Sequence, residues 1–175
     1  QIRKLGLRTG DKVQGQAKGK KDGDKFQALI YINTVNDEKP NGSVKRPDFS
    51  RLTPIFPDER FQLERNPKEF YTRIVDLIAP IGRGQRGMVV SPPKAGKTVL
   101  LKKIANSIKA NYPDIELIVL LIDERPEEVT DLQRSIDGEV VYSTFDKVPE
   151  NHIKIAEMVL ARAQRLVEMG KDVVI

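Results

Sequence analysis

The spacing of apolar positions changes character three times along this chain. From Gln1 to Asn36 it favours a period of two. "DKVQGQAK" (11–18) and "FQALIYINTVN" (26–36) read as strands, and the Gly/Asp/Lys segment between them has hairpin chemistry. In the second run Phe26, Ala28, Ile30 and Ile32 share one face and Gln27, Leu29, Tyr31 and Asn33 the other. Over 37–65 the period disappears. Pro40, Pro47, Pro54 and Pro57 stand among charged and turn residues, the composition of a linker or extended crossover, and only Phe61 and Leu63 resume an alternation. Beyond them Pro67 fits a first helical turn, Tyr71, Ile74, Leu77 and Ile78 recur at helical spacing, and Pro80 stops the helix.

From Gly82 onward strand and helix patterns alternate. Met88–Val90 predicts a short core strand, followed by a helix after Thr98. Ile115–Asp123 is an almost unbroken apolar run, as expected of a strand covered by helices on both faces. Pro126 with Glu127 and Glu128 opens a second helix, and 139–145 predicts a third core strand. Over 151–170 a strongly amphipathic helix turns Ile153, Ala156, Val159 or Leu160, Ala163, and Leu166 or Val167 inward, and Gly170 ends it. The last residues, 172–175, begin a fourth strand. Such alternation implies a parallel sheet with right-handed crossovers. Two strands do not make a stable domain alone, so the N-terminal pair is expected to be the end of a small barrel. The predicted organisation is α+β: barrel strands over 1–36, a connector over 37–80, and an α/β unit over 81–175, both folded units incomplete. A start on Gln1 and a close on apolar "KDVVI" further suggest a piece of a longer chain.

Composition adds little. A formal charge of +5 is compatible with a polyanionic partner without requiring one. With no cysteine there is neither a disulfide framework nor a thiolate metal site. No apolar run approaches membrane-spanning length.

The chemistry concentrates in "SPPKAGKT", 91–98. Small residues between a strand and a helix let backbone N–H groups close around an anion; Lys97 can reach β- and γ-phosphates, and the Thr98 hydroxyl can ligate Mg²⁺. Ser91 stands where the general phosphate-loop pattern has its first glycine. Asp123-Glu124-Arg125 ends the long apolar strand, the edge at which open parallel sheets bind ligands. Glu124 is a candidate for polarising a water and Arg125 for contacting phosphates; the alternative is an ion pair with Asp123 capping the next helix. "GRGQRG", 82–87, reads equally as a nucleotide or subunit contact and as a solvated turn. Phe26 follows Lys18, Lys20, Lys21 and Lys25, so it could stack a base in a basic barrel or simply sit in a core. His152, with no partner in view, reads as a surface residue.

In the order "GRGQRG", "PPKAGKT", "LIDERPEEVTDLQR" and "GEVVYSTFD", preceded by "LRTGDKVQG" and "LTPIFPDERFQLE", the chain resembles the bacterial Rho transcription termination family over nearly its whole length. The resemblance implies an OB-like, cold-shock-type RNA-binding barrel followed by a RecA-like ATPase core. It implies a homohexameric, RNA-dependent ATPase and 5′ to 3′ RNA helicase of the bacterial cytoplasm, acting on cytosine-rich single-stranded RNA and on RNA polymerase elongation complexes, with ATP and Mg²⁺ and no membrane. Carried over residue by residue, it assigns RNA contacts to Asp24, Lys25 and Phe26. It assigns nucleotide contacts to Gly82, Arg83, Gly84, Gln85, Arg86, Gly87, Lys94, Ala95, Gly96, Lys97, Thr98, Val99 and Arg125, catalytic roles to Lys97 and Glu124, and Mg²⁺ to Thr98. The family's second Mg²⁺-organising aspartate, channel loops and trans arginine would follow Ile175, so these residues alone are expected to bind nucleotide but not to turn it over. Two rivals are another RecA-type ring ATPase, from which a more Gly-rich phosphate loop would be expected, and an RNA- and nucleotide-binding module whose loop does not hydrolyse.

Overall fold

The computed structural model describes residues 5–19, 29–40 and 46–175. The RNA-contact candidates Asp24, Lys25 and Phe26 lie outside the described residues. The N-terminal strands β1 (Val13–Ala17) and β2 (Leu29–Val35) pair antiparallel, with bulges between Gln14 and Gly15 and between Gln16 and Ala17. The predicted alternation survives only in part. Ile32 is buried while Leu29, Ile30 and Tyr31 are exposed, because each bulge breaks the two-residue register and no second layer covers this pair among the described residues.

A 3-10 turn at Phe49–Arg51 leads to α1 (Phe70–Ile78), and α2 (Lys97–Asn111) follows the loop at 91–96. The rest alternates as the pattern implied: β3 (Glu116–Glu124), α3 (Pro126–Ser135), β4 (Glu139–Thr144), α4 (Pro149–Glu168) and β5 (Val173–Val174). The three strands form a parallel sheet in the order β4-β3-β5. Alternate β3 side chains serve opposite layers. Ile118 and Leu120 meet Val159, Ala163 and Leu166 of α4, while Leu117, Val119 and Leu121 meet Leu132 of α3, Ile136 and Ala105 of α2. That two-sided burial is why the strand reads as continuous apolar sequence. It also resolves the α4 alternatives, for Val159 and Leu166 are buried and Leu160 faces outward; Ile153, expected inward, is exposed, because it lies near the start of α4, outside the cluster that packs on β3.

Two further expectations are corrected. Met88–Val90 forms no strand, and Met88 and Val90 are 87% and 82% exposed. β3 already has neighbours on both sides and β5 is only two residues long, so this segment finds no backbone ladder among the described residues. Likewise Tyr71, Ile74, Leu77 and Ile78 on α1 are exposed; the helix turns Thr72 and Val75 to the interior instead. The alternating Phe61 and Leu63 pack deeply, joining Ile108 and Ile115 in one cluster. The Asp76 carboxylate of α1 holds that segment by accepting from the backbone N–H groups of Leu63 and Glu64 (2.9 and 2.7 Å), and the Tyr112 hydroxyl accepts from Gln62 N–H at 2.9 Å.

The β1–β2 hairpin is seated on α4 by a buried polar network. At Gly10, with φ +95°, an added β-carbon would lie 2.4 Å from the Ala161 backbone, so only glycine permits this approach. Arg46 grips Asp11 with both terminal nitrogens (2.6 and 2.8 Å), Asn36 donates to Asp11 at 2.7 Å, and Arg162 of α4 donates to the Asn36 side-chain oxygen at 2.6 Å. Nearby, the Glu168 side chain is wholly buried and accepts from Arg165 (2.7 Å), Arg8 (3.2 Å) and the Phe49 N–H (2.9 Å). Burial pushes the Asp11 carboxyl up, but hydrogen bonds from Arg46, the Arg8 N–H and Asn36 outweigh it and hold its pKa down at about 2.

Candidate nucleotide site

α2 begins at Lys97 directly after Gly96, whose φ of +88° lies in the left-handed region that disfavours a β-carbon. Lys94 has φ +62° as well, and the Ala95 N–H closes the loop on the Pro92 carbonyl at 3.4 Å. No side chain caps α2 and its first turn carries no acid. Its leading N–H groups and the positive end of its dipole are therefore left for an external anion.

A cleft of about 560 Å³ opens there. Lys94, Gly96, Lys97, Thr98 and Val99 line it on the loop side, and Glu124 and Glu128 on the sheet side. Two packing decisions make this possible. β3 delivers Glu124 at its carboxyl end, past a bulge in which Asp123 takes φ +61°, and α3 starts at once with Pro126, placing Glu128 in its first turn. Burial raises the Glu124 pKa, helped by the charge and hydrogen bond of Glu128; the Arg125 N–H and the positive charge of Lys97 pull it back. A carboxyl poised this way can hold a water while staying near a cation.

The remaining candidates are distributed differently. Arg125 lines a separate cleft of about 640 Å³ with Asp123, Glu127 and Phe145. None of Gly82–Gly87 lines either cleft. Gly82 is buried and donates its N–H to Gln85 Oε1 at 2.7 Å, while Gly84, Gln85, Arg86 and Gly87 are exposed. Arg83 is engaged locally, paired with Asp172 (2.8 Å) and Glu59 (3.2 Å) and lying over the Phe61 and Tyr112 rings at 5.4 and 5.1 Å. Ala95 belongs to the loop without facing the cleft.

Two features escaped the sequence reading. Glu128 looks there like an ordinary first-turn acid, and the four-residue step from Glu124 across the strand-to-helix turn was its only signal. His152 does have a partner: its Nδ1 lies 2.8 Å from Ser143 Oγ, to which Asn151 also donates at 3.0 Å. Nothing in the local spacing announces a contact with the end of β4.

Among the described residues no group of three or more His, Asp or Glu side chains converges to hold a metal by itself, and no helix is long and apolar enough to cross a membrane.

A parallel sheet, an uncapped helix start after a left-handed glycine and a carboxylate at the facing strand end are the features by which the class is recognised. Residues 72–175 match the ATP synthase alpha/beta family nucleotide-binding domain, and the chain belongs to that family. Residues 1–41 match the Rho termination factor RNA-binding domain, and the fold is accordingly OB-like followed by RecA-like. Within the class the homology is to bacterial transcription termination factor Rho. Across its whole length the chain is 58% identical to the Rho of Bacillus subtilis and 55% identical to that of Aquifex aeolicus, covering 41% of each. It is 49% identical to the Rho of Mycobacterium tuberculosis over 99% of its own length and 30% of the relative's. The chain thus spans less than half the length of these curated relatives.

Proposed function

We propose that these residues are the nucleotide-binding part, joined to RNA-binding barrel strands, of an RNA-dependent ATPase that works as a homohexameric 5′ to 3′ RNA helicase. In this reading it displaces RNA polymerase to terminate transcription in the bacterial cytoplasm. The observation that carries it is the cleft in which Lys97 and the uncapped start of α2 oppose Glu124. The identity to proteins named transcription termination factor supports the biological role. Cytosine-rich single strands as the RNA, bound at Asp24, Lys25 and Phe26, belong to the same proposal.

In this mechanism Lys97 and the α2 N–H groups bind and orient the terminal phosphates of ATP. Mg²⁺ would arrive with the nucleotide and neutralise phosphate charge, and the Thr98 hydroxyl would supply one ligand. Glu124 holds the attacking water, and Glu128 keeps its carboxyl oriented. Val99, Lys94 and Ala95 shape the cradle. Gly82–Gly87 and Arg125 complete it, or a subunit boundary, through rearrangement. In the ring that this reading implies, an arginine from a neighbouring subunit would stabilise the charge on the transferring phosphate.

The test is titration of the chain and of Lys97→Ala with a fluorescent ATP analogue and, separately, with labelled oligocytidine. Loss of nucleotide affinity by tenfold or more with RNA affinity intact is expected. A variant that binds nucleotide like the wild type would remove the reading. A rotary ATPase subunit would fit the family of residues 72–175, but the identity over the whole chain to Rho proteins favours the termination factor.

A further inference from the structure

Ser91 is the loop residue for which the fold has no visible use. Its Oγ is buried and has no hydrogen-bond partner, although a hydroxyl can donate one bond and accept two. Such a group is costly to keep, and at the first position of a phosphate loop a glycine would avoid the cost. Ser91 also lines the same cleft as Lys97, Thr98, Glu124 and Glu128. The carboxylates of Glu124 and Glu128 line the same cleft but do not reach the hydroxyl, which has no hydrogen-bond partner. No acceptor of the cleft bonds to this hydroxyl, and a terminal phosphate oxygen is one that a ligand would bring.

We propose that Ser91 is a specificity-determining nucleotide contact: its hydroxyl donates to an oxygen of the terminal phosphate and so favours nucleoside triphosphate over diphosphate. This rests on the nucleotide reading of the cleft and adds a residue to it. Lys97 supplies charge to whatever phosphates are present, whereas a single neutral donor in the cleft discriminates only if the outermost phosphate reaches it. With that phosphate absent, the hydroxyl stays unpaired and the site is penalised.

The experiment compares the chain with Ser91→Ala and Ser91→Gly, measuring dissociation constants for a fluorescent ATP analogue and its diphosphate counterpart, and melting temperatures with and without nucleotide. Both variants should bind triphosphate about tenfold more weakly, equivalent to about 1.4 kcal/mol, with the diphosphate changed less than threefold. Without nucleotide, their melting temperatures should be equal to or above that of the wild type, because an unpaired buried hydroxyl has been removed. Nucleotide-induced stabilisation should shrink. Unchanged triphosphate affinity in Ser91→Ala would overturn the assignment. So would a loss in alanine that glycine restores, which would point to space rather than the hydroxyl. Failure of the unsubstituted chain to bind either nucleotide would instead sink the nucleotide reading itself, and this inference with it.

Discussion

The seat of the hairpin on α4 and the cleft at the start of α2 are both rich in charge, and they differ in where that charge finds its partners. At the seat, Asp11, Asn36 and Glu168 are buried and each accepts several hydrogen bonds from within the chain. At the cleft, Lys94, Lys97 and Thr98 have no side-chain hydrogen bond among the described residues, α2 is uncapped, and Ser91 Oγ is an orphan. The first arrangement fixes geometry, because removing any partner strands a buried charge. The second stores unsatisfied groups where a ligand can satisfy them, at a cost in stability. The seat keeps orphans of its own, since Glu168 Oε2 and the Nε atoms of Arg162 and Arg165 are buried without hydrogen-bond partners, but its charges are paired within the chain, whereas the lysines of the cleft are left for a ligand.

That contrast can be broken most forcefully at Glu168. Replacing it with alanine leaves Arg165 and Arg8 without their shared carboxylate and should cost about 3–5 kcal/mol in urea unfolding. A loss below about 1 kcal/mol would show that the network is ornamental. At the cleft, Lys97→Ala should do the reverse, changing stability by less than about 0.5 kcal/mol while nucleotide affinity falls tenfold or more. Calorimetry and titration on the same samples would check both halves.

The pH dependence sharpens the same point. Asp11 has a folded pKa of about 2 against an ordinary 3.8, so its contribution is fully present above pH 3.8 and lost as pH falls through about 2. Asp11→Asn should flatten that limb of the stability curve, measured by thermal melts between pH 5 and 2. Glu124 shifts the other way. Its raised pKa means that the folded state holds the proton longer, so ionisation costs stability as pH rises through the acidic range. Glu124→Gln should therefore raise the melting temperature slightly at neutral pH, the smallest of these effects. A clear fall in melting temperature would contradict it.

Much of this was legible in the chain. The apolar run of β3, the acidic opening of α3 and the amphipathic stripe of α4 depend on local periodicity, and each element formed within a few residues of its expected place. The turn into α2 was legible because a glycine ahead of a helix start is a local signal, and Gly96 takes its left-handed φ directly before Lys97. Met88–Val90 was misread for the same kind of reason. Apolar residues in a row state a preference for a ladder, and whether a neighbouring strand is there to provide one is not a local property. The exposed stripe on α1 repeats the lesson, since a helix face is buried only if something packs on it.

By itself, then, the sequence determined the order and type of the elements and the adjacency of the loop residues, because propensity, capping and periodicity act over a few positions. Tertiary structure alone decided which charges met across long separations. It joined Glu168 to Arg8 across 160 residues and Arg162 to Asn36 across 126, and it brought Glu124 and Glu128 to face Lys97. Those pairings follow from how helices dock on the sheet, and docking is set by the shape of the whole core rather than by any short stretch of chain.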